Sequence, residues 1–212
     1  INVTGADAVL TATAGAIGVS GTGGQLETDL TSVTATASGA GGGVFLNELD
    51  TVGTNGISIK TVNAGAGNAE IVSARAILDF AGDGANNVTA ADLVLTATTG
   101  AIGVSGTAGQ LETSVTSLTA TAFGAGGGVF VNELAAGVAV KTIDAGTGNA
   151  ELIAAGAITD FANDALINVT AADLTITASA GAIGATGTNG QLETALTSLT
   201  ATASGAGGGV FI

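Results

Sequence analysis

Apolar and polar residues alternate along most of this chain, as in Leu93–Thr98 and Val138–Lys141. A period of two is typical of β-strands, and the many Thr, Val and Ile residues favour the same structure. Glycine recurs every few residues through much of the chain, where a helix would need continuity, and no segment has a sustained helical pattern. The pattern therefore predicts short strands joined by tight turns. Strand alternation is expected to send Leu95, Ala97, Leu118, Ala120, Leu152 and Ala154 inward, and Thr96, Thr98, Thr119 and Thr121 toward water.

The chain consists of copies of one unit. The string LETSVTSLTATAFGAGGGVFVNEL, which begins at Leu111, recurs with few changes from Leu26 and from Leu192. Aligned on their Asn-x-Thr sequences, the copies start at Asn2, Asn87 and Asn168, so the first is slightly longer than the second. This predicts one continuous segment, 1–212, with repeats 2–86, 87–167 and a partial 168–212. The length difference falls at Thr51–Asn55, which is polar and contains glycine, as a surface loop tolerates.

A shorter pattern of apolar run, small-residue turn and apolar run occurs three times in each unit. Its markers in the second unit, Ile102, Val129, Ile158 and Ile183, are nearly evenly spaced. Short strands with such a repeat predict an all-β parallel β-helix, with about three coils of roughly 27 residues per unit. A unit of four shorter coils is the alternative. With three coils, Leu95, Leu118 and Leu152 are expected in successive layers of one inner face.

Composition excludes several classes of protein. The net charge is −14, and the basic residues are only Lys60, Arg75 and Lys141, so nucleic acid is an improbable partner. Polar residues interrupt each apolar run before the roughly 18 residues that a membrane span needs. Cysteine is absent, which excludes disulfides and thiolate metal sites. With 46% hydrophobic residues, the chain is expected to be ordered.

Three runs carry a family resemblance: LETSVTSLTATAFGAGGGVFVNEL, KTIDAGTGNAELIAAGAITDF and NVTAADLVLTATTGAIG. They resemble the degenerate repeats of large bacterial surface exoproteins of the filamentous-haemagglutinin type, which are exported by two-partner or related secretion. The resemblance implies a right-handed parallel β-helix stalk outside the cell that serves adhesion, cell contact or matrix. Its expected partners are the same chain continued or identical chains end to end, and a host, neighbouring-cell or matrix surface.

The ends of the chain support the same expectation. Ile1-Asn2 begins inside a pattern that recurs at Ile167-Asn168, and Ile212 stops where the earlier copies continue. Neither end has a cap of different composition, although solenoids need caps to stay soluble. We therefore expect this sequence to be a window on a longer extracellular array.

Two kinds of polar turn are candidate sites. The turns 79–83 and 160–164 carry oxygen ligands suited to Ca²⁺, with Asp79, Asp83, Asp160 and Asp164 as weak metal candidates. The nonapeptide of calcium-binding β-rolls is missing, so polar turns without metal are the favoured interpretation. Asn2, Asn87 and Asn168 begin Asn-x-Thr sequences and are possible glycosylation sites, but asparagines that cap a turn explain them better.

Two further motifs have structural explanations that we favour. The GAGGG run at Gly39, Gly124 and Gly205 is not followed by the Lys-Ser/Thr of a phosphate-binding loop, so it predicts a turn or bulge. The Thr-x-Thr pairs, such as Thr96/Thr98, are candidates for an ice-binding lattice. Every third predicted coil breaks the lattice, and a solvated strand face is the preferred interpretation.

Catalysis has little support in this sequence. Histidine and cysteine are absent, and Lys60 and Lys141 occupy copies of one repeat position. A surface repeated in every unit offers no unique place for an active site. We therefore expect no catalytic or cofactor-binding residues and a structural or adhesive role in an extracellular fibre. The alternatives are a carbohydrate-processing β-helix enzyme and a ligand-binding solenoid for ice or cations.

Overall fold

Strands make up all of the regular structure in the computed structural model, which describes residues 1–51, 53, 56–106, 108–124, 126–187 and 189–212. No helix in these ranges has the length and apolar character to span a membrane. The strands are β1 (Val3–Ala12), β2 (Leu26–Ala37), β3 (Val44–Glu48), β4 (Gly56–Asn63), β5 (Ala69–Ser73), β6 (Ala76–Asp79), β7 (Val88–Ala97), β8 (Leu111–Ala122), β9 (Val129–Glu133), β10 (Val138–Asp144), β11 (Ala150–Ala154), β12 (Ile158–Asp160), β13 (Val169–Thr170), β14 (Asp173–Ala178), β15 (Thr194–Ala195) and β16 (Ser198–Ala203).

Every pair of these strands is parallel, and a strand inside the stack pairs with strands one coil before and one coil after it. Leu26 of β2 pairs with Leu46 of β3, whereas Thr34 of β2 pairs with Thr61 of β4. Parallel strands this close in sequence require the chain to wind like a spring. The protein is therefore a parallel β-helix of about eight turns, which confirms the predicted fold class.

Inward side chains form several stacks, two of which mark opposite sides of the β-helix and grow by one residue per coil. The first stack contains Leu26, Leu46, Ile71, Leu95, Ala120, Ile143, Val169 and Thr194. The second contains Ile57, Ile77, Ile102, Val129, Ala150, Leu174 and Leu199. Long strands cross from one stack to the other at a corner. The pairing of β7 with β8, for example, omits Ala91 and Thr116.

Successive repeats face opposite sides of this β-helix. Starting from Ile102, three coil steps lead through Val129 and Ala150 to Leu174 in the second stack. The repeat equivalent of Ile102 is Ile183, which pairs with Ile158 on the other side. One repeat therefore winds through about three and a half coils. As a result, equivalent surface residues of neighbouring repeats point in opposite directions. We call this rotation of each repeat by half a coil relative to the one before it the half-coil offset.

The inward positions predicted by alternation are confirmed, but the order of stacking differs. Leu95, Leu118 and Leu152 are all buried. However, Leu118 pairs with Leu93, and Leu152 pairs with Val131. The step from Val129 to Ile158 is not one coil, because the small residue Ala150 lies over Val129. Large apolar residues mark the coils in the sequence pattern, and an inward alanine such as Ala150 is not recognised as one of these positions.

The insertion of the first repeat falls between two paired segments. Residues of β2 pair with β3 as far as Glu48, and with β4 from Ser58. Within Thr51–Asn55, the residues Val52, Thr54 and Asn55 lie outside the described residues. The Thr51 hydroxyl donates a hydrogen bond to the Asp29 carboxylate. Ser32 pairs with Ser58 just as its repeat equivalent Ser117 pairs with Ala139, so the register beside the insertion is the same in both repeats.

Candidate functional site

A cluster of four side chains lies on the outer surface of the first repeat and is called here the lysine cluster. Lys60 Nζ lies 2.7 Å from Asp7 Oδ2 and 4.5 Å from the centroid of the Phe80 ring. The Ser32 hydroxyl donates to Asp7 Oδ1 at 2.9 Å. The hydrogen bond from Lys60, followed by that from Ser32, lowers the pKa of Asp7. The cluster joins neighbouring coils through an ion pair and a cation–π contact.

The second repeat carries the same cluster with nearly the same distances. Lys141 Nζ lies 2.7 Å from Asp92 Oδ2 and 4.4 Å from the Phe161 ring centroid, and Ser117 donates to Asp92 at 2.7 Å. Lys60 is on β4, beside the second stack, whereas Lys141 is on β10, beside the first. The prediction that the two lysines are copies of one position is therefore confirmed. Their half-coil offset places them on opposite faces.

The acidic turn Asp79–Asp83 uses its carboxylates to hold its own backbone. Asp79 Oδ1 accepts hydrogen bonds from the Ala81 N–H at 3.1 Å and from Asn87 Nδ2 at 2.8 Å, and Asp79 Oδ2 accepts from the Asp83 N–H at 3.0 Å. Asp83 Oδ1 accepts from the Ala85 N–H at 2.8 Å. These are Asx-type turns, in which the side chain replaces a backbone acceptor.

The second acidic turn, Asp160–Asp164, repeats this network. Asp160 accepts from Ala162, Asp164 and Asn168, and Asp164 accepts from the Leu166 N–H. Among the described residues, no group of three Asp or Glu side chains is arranged to hold a metal ion. The four aspartates named as weak calcium ligands accept hydrogen bonds from their own turns, and calcium binding by them stays a prediction.

The three Asn-x-Thr asparagines occupy one structural position but differ in exposure. Asn87 Oδ1 accepts the Glu112 N–H, and Asn168 Oδ1 accepts the Glu193 N–H, each at 2.9 Å. Both side chains are buried, and both amide nitrogens donate to an aspartate in the preceding turn. A glycan on either amide would have to displace these contacts, so burial argues against modification there. Asn2 is exposed, and its glycosylation remains a prediction.

The glycine run and the threonine pairs serve the architecture. Gly42 N–H donates to Gly39 O at 2.8 Å, which closes the predicted turn. Thr34 and Thr36 lie over Val9 and Thr11, but the next coil presents Thr61 and Asn63. Thr96 lies between Val72 and Thr121. The half-coil offset sends the threonines of successive repeats to opposite faces, so no long threonine lattice forms along these columns.

Two buried glutamates hold polar networks inside the fold, and they were not identified from the sequence. Glu48 and Glu133 point into the core and are almost completely inaccessible to solvent. Glu133 Oε2 accepts from the Thr113 hydroxyl at 2.8 Å and the Val115 N–H at 3.0 Å, while Oε1 accepts from the Ala135 N–H at 3.0 Å. Burial raises the pKa of both carboxyl groups. The recurrence of Asn-Glu-Leu at the same place in both repeats was the one sequence feature that could have pointed to them.

We expect the substitution Glu133→Ala to destabilise the protein by about 2–4 kcal/mol. It removes the acceptor of two buried donors, the Thr113 hydroxyl and the Val115 N–H, and of the N–H of the exposed Ala135. A buried donor without a partner costs about 1–3 kcal/mol. Urea unfolding followed by circular dichroism measures this loss. Glu133→Gln is the matched control, since it keeps one carbonyl acceptor, and we expect a smaller loss. Equal stability of Glu133→Ala and the wild type would contradict the structural role of this carboxylate.

No protein-family model matches this chain, and no curated protein and no solved structure matches it. The resemblance to filamentous-haemagglutinin repeats therefore stays a prediction. In the described residues, each basic side chain lies beside an aspartate: Lys60 by Asp7, Arg75 by Asp50 and Lys141 by Asp92. No pocket is found in this part of the chain. The most distinctive feature of its surface is the copying of whole side-chain networks between repeats.

Proposed function

We propose that this chain is a structural or adhesive length of an extracellular bacterial fibre or surface stalk, without a catalytic role. The copied networks are the observation that carries the proposal. The lysine cluster, the acidic turn and the buried glutamate each occur in both complete repeats with the same partners. Enzymes concentrate their chemistry in one place, whereas a fibre needs the same contacts in every unit.

A further network ties distant coils together in both repeats. Glu70 Oε2 accepts hydrogen bonds from the Ser20 hydroxyl and the Gly21 N–H, each at 3.0 Å. Glu151 makes the equivalent contacts with Ser105 and Gly106. In each repeat these bonds fasten one loop onto a strand of a later coil. Such fastening suits a rod that must resist bending.

The half-coil offset explains how such a rod presents its surface. Because neighbouring repeats face opposite sides, each side of the rod carries the same features at intervals of two repeats. About eight turns, each adding about 4.8 Å, give a rod of roughly 40 Å. A partner or matrix on either side would meet the same acidic surface.

Immunogold electron microscopy tests this proposal on the source cells. Antibodies raised against the folded chain are expected to label thin rods on the outside of intact cells, many times longer than the chain itself. Label confined to the cell interior, or to compact particles, would contradict the fibre role. A parallel assay offers the purified chain acidic and neutral polysaccharides, and release of new reducing ends would favour the carbohydrate-processing alternative instead.

A further inference from the structure

Glu112 is a buried carboxylate whose oxygens make no hydrogen bond of normal geometry among the described residues. Both Glu112 and Gln110, two positions earlier in the chain, are completely inaccessible to solvent. Neither Glu112 oxygen, nor either polar atom of the Gln110 amide, makes a hydrogen bond within the described part of the chain. An ionised carboxylate in this environment is costly, because nothing replaces its lost hydration.

The groups that face Glu112 add to this cost. The segment 79–87 lies against β8: Asn87 Oδ1 accepts the Glu112 N–H, while Asn87 Nδ2 donates to Asp79 Oδ1. The charged groups that act on Glu112 are Asp79 and Asp83 of this segment, and both are acidic. On the other side, β9 places Asn132 beside Glu112. The Asn132 amide lies outside normal hydrogen-bond geometry, but its attraction for the carboxylate lowers the pKa of Glu112 by less than burial raises it. Lys60, Arg75 and Lys141 lie in ion pairs with other aspartates.

The protonated form is therefore favoured near neutral pH. Burial, followed by repulsion from Asp79, raises the pKa of Glu112 from 4.5 to about 7. A raised carboxyl pKa means that the folded state binds a proton more tightly than the unfolded state does. The resulting stability is fully present below pH 4.5 and is lost as the pH rises through about 7.

We propose that Glu112 is a proton-controlled latch for the turn 79–87, which packs against Glu112 when Glu112 is neutral and opens when Glu112 ionises. An ionised Glu112 repels Asp79 and Asp83 and gains hydration only if the turn lifts away. Both ends of the turn stay attached to β4, because the Phe80 N–H donates to Ile59 O and the Val62 N–H donates to Asn87 O. The hydrogen bonds inside the turn to Asp79 and Asp83 also survive, so the turn can hinge away from β8 as a unit. A local opening then exposes the outer side of β8 above neutral pH.

Native-state hydrogen exchange of the wild-type chain tests the latch. After correction for intrinsic exchange, the protection of the Asn87 and Glu112 amides, which bond across the latch, is expected to fall about 30-fold between pH 5.5 and 8.5, as the shift from 4.5 to about 7 implies. The second acidic turn is an internal control. Its Asn168 and Glu193 make the same contacts, but the Glu193 side chain is only partly buried, so a much smaller change is expected there.

The variant Glu112→Gln identifies the group responsible. This uncharged side chain of similar shape is expected to keep the protection at pH 8.5 that the wild type has at pH 5.5, whereas Glu27→Gln, at the more exposed equivalent, is expected to behave like the wild type. A carbon-13 titration of the Glu112 carboxyl in the wild type is expected to have its midpoint near 7. A midpoint near 4.5, or an unchanged pH dependence in Glu112→Gln, would overturn the latch. The latch would also be overturned, in favour of a cation site, if added CaCl₂ restored protection at pH 8.5 while lowering the pH to 5.5 without CaCl₂ did not.

Discussion

Replacing Leu118 by aspartate is expected to abolish cooperative folding of the chain. Leu118 is completely buried and lies between Leu93 and Val140 in adjacent coils. An aspartate there would bury a charge without a partner, and such a change costs several kcal/mol. Native domains have only about 5–15 kcal/mol in total. Thermal unfolding followed by circular dichroism should show a lost or strongly lowered transition.

Thr119→Asp is the matched control, because it also introduces an aspartate, one residue later. Thr119 faces outward, next to Val94 and Thr142 on the outer surface. The carboxylate of an aspartate at this position would remain hydrated, so we expect the free energy of unfolding to change by less than about 1 kcal/mol. Equal damage by both substitutions would contradict the assignment of the two faces. Equal tolerance of both would also contradict it.

The second large effect is expected from Gly148→Ala. A Cβ atom on Gly148 would lie 1.4 Å from the carbonyl oxygen of Gly127 in the previous coil. Neither backbone can move without breaking the turn that closes at Gly148, whose N–H donates to Ala145 O at 2.8 Å. We expect a loss of at least about 3 kcal/mol, since overpacking of rigid structure has costs of this size. Chemical denaturation with the wild type in parallel measures it.

Gly84→Ala controls for the general effect of adding a methyl group to glycine. A Cβ atom on Gly84 would meet no atom within 4 Å. Alanine at such a position restricts the unfolded chain, so the variant is expected to be neutral or stabilised by about 0.5 kcal/mol. If Gly148→Ala retained the stability of Gly84→Ala, the close contact between successive turns would not exist. In the first repeat, a Cβ atom on Gly67 would lie at the same 1.4 Å from the carbonyl oxygen of Gly42, so Gly67→Ala should respond as Gly148→Ala does.

Local pattern was enough to predict the strands and the direction of their side chains. Leu118 and Thr119 illustrate this, because alternation depends only on the geometry of a single strand. The stacking between coils could not be predicted in the same way. It depends on how many residues each turn consumes, and the path from Leu26 to Leu46 is shorter than that from Thr34 to Thr61. The half-coil offset between repeats arises from these differences.

The polar positions were harder to predict than the core. Glu27, Glu112 and Glu193 occupy one repeat position with the same neighbours in sequence, yet only Glu112 is completely buried. Its burial requires both the segment 79–87 in the coil below and β9 in the coil above. Glu133 is buried in a different environment, where its carboxylate accepts hydrogen bonds from the buried Thr113 and Val115 and from Ala135 at the surface. In both cases the surrounding residues lie about one coil away in the sequence, so the local pattern around each glutamate could not predict its burial.

The half-coil offset is the central claim about this molecule, and disulfide trapping tests it most directly. The chain has no cysteine, so a designed pair gives an unambiguous signal. Phe130 and Glu151 are register partners on the outside of neighbouring coils. Their Cα atoms are therefore expected about 4.8 Å apart, within the range that a disulfide spans. A single coil running from Val129 to Ile158 would instead pair Phe130 with Thr159.

We therefore expect the double variant Phe130→Cys/Glu151→Cys to form an intramolecular disulfide rapidly under mild oxidation, with the native circular dichroism spectrum retained. The variant Phe130→Cys/Thr159→Cys should stay reduced under the same conditions, as thiol titration and non-reducing electrophoresis would show. Rapid bonding of the second pair and not the first would mean that each repeat closes on whole coils, and the alternation of repeats between opposite faces would be wrong.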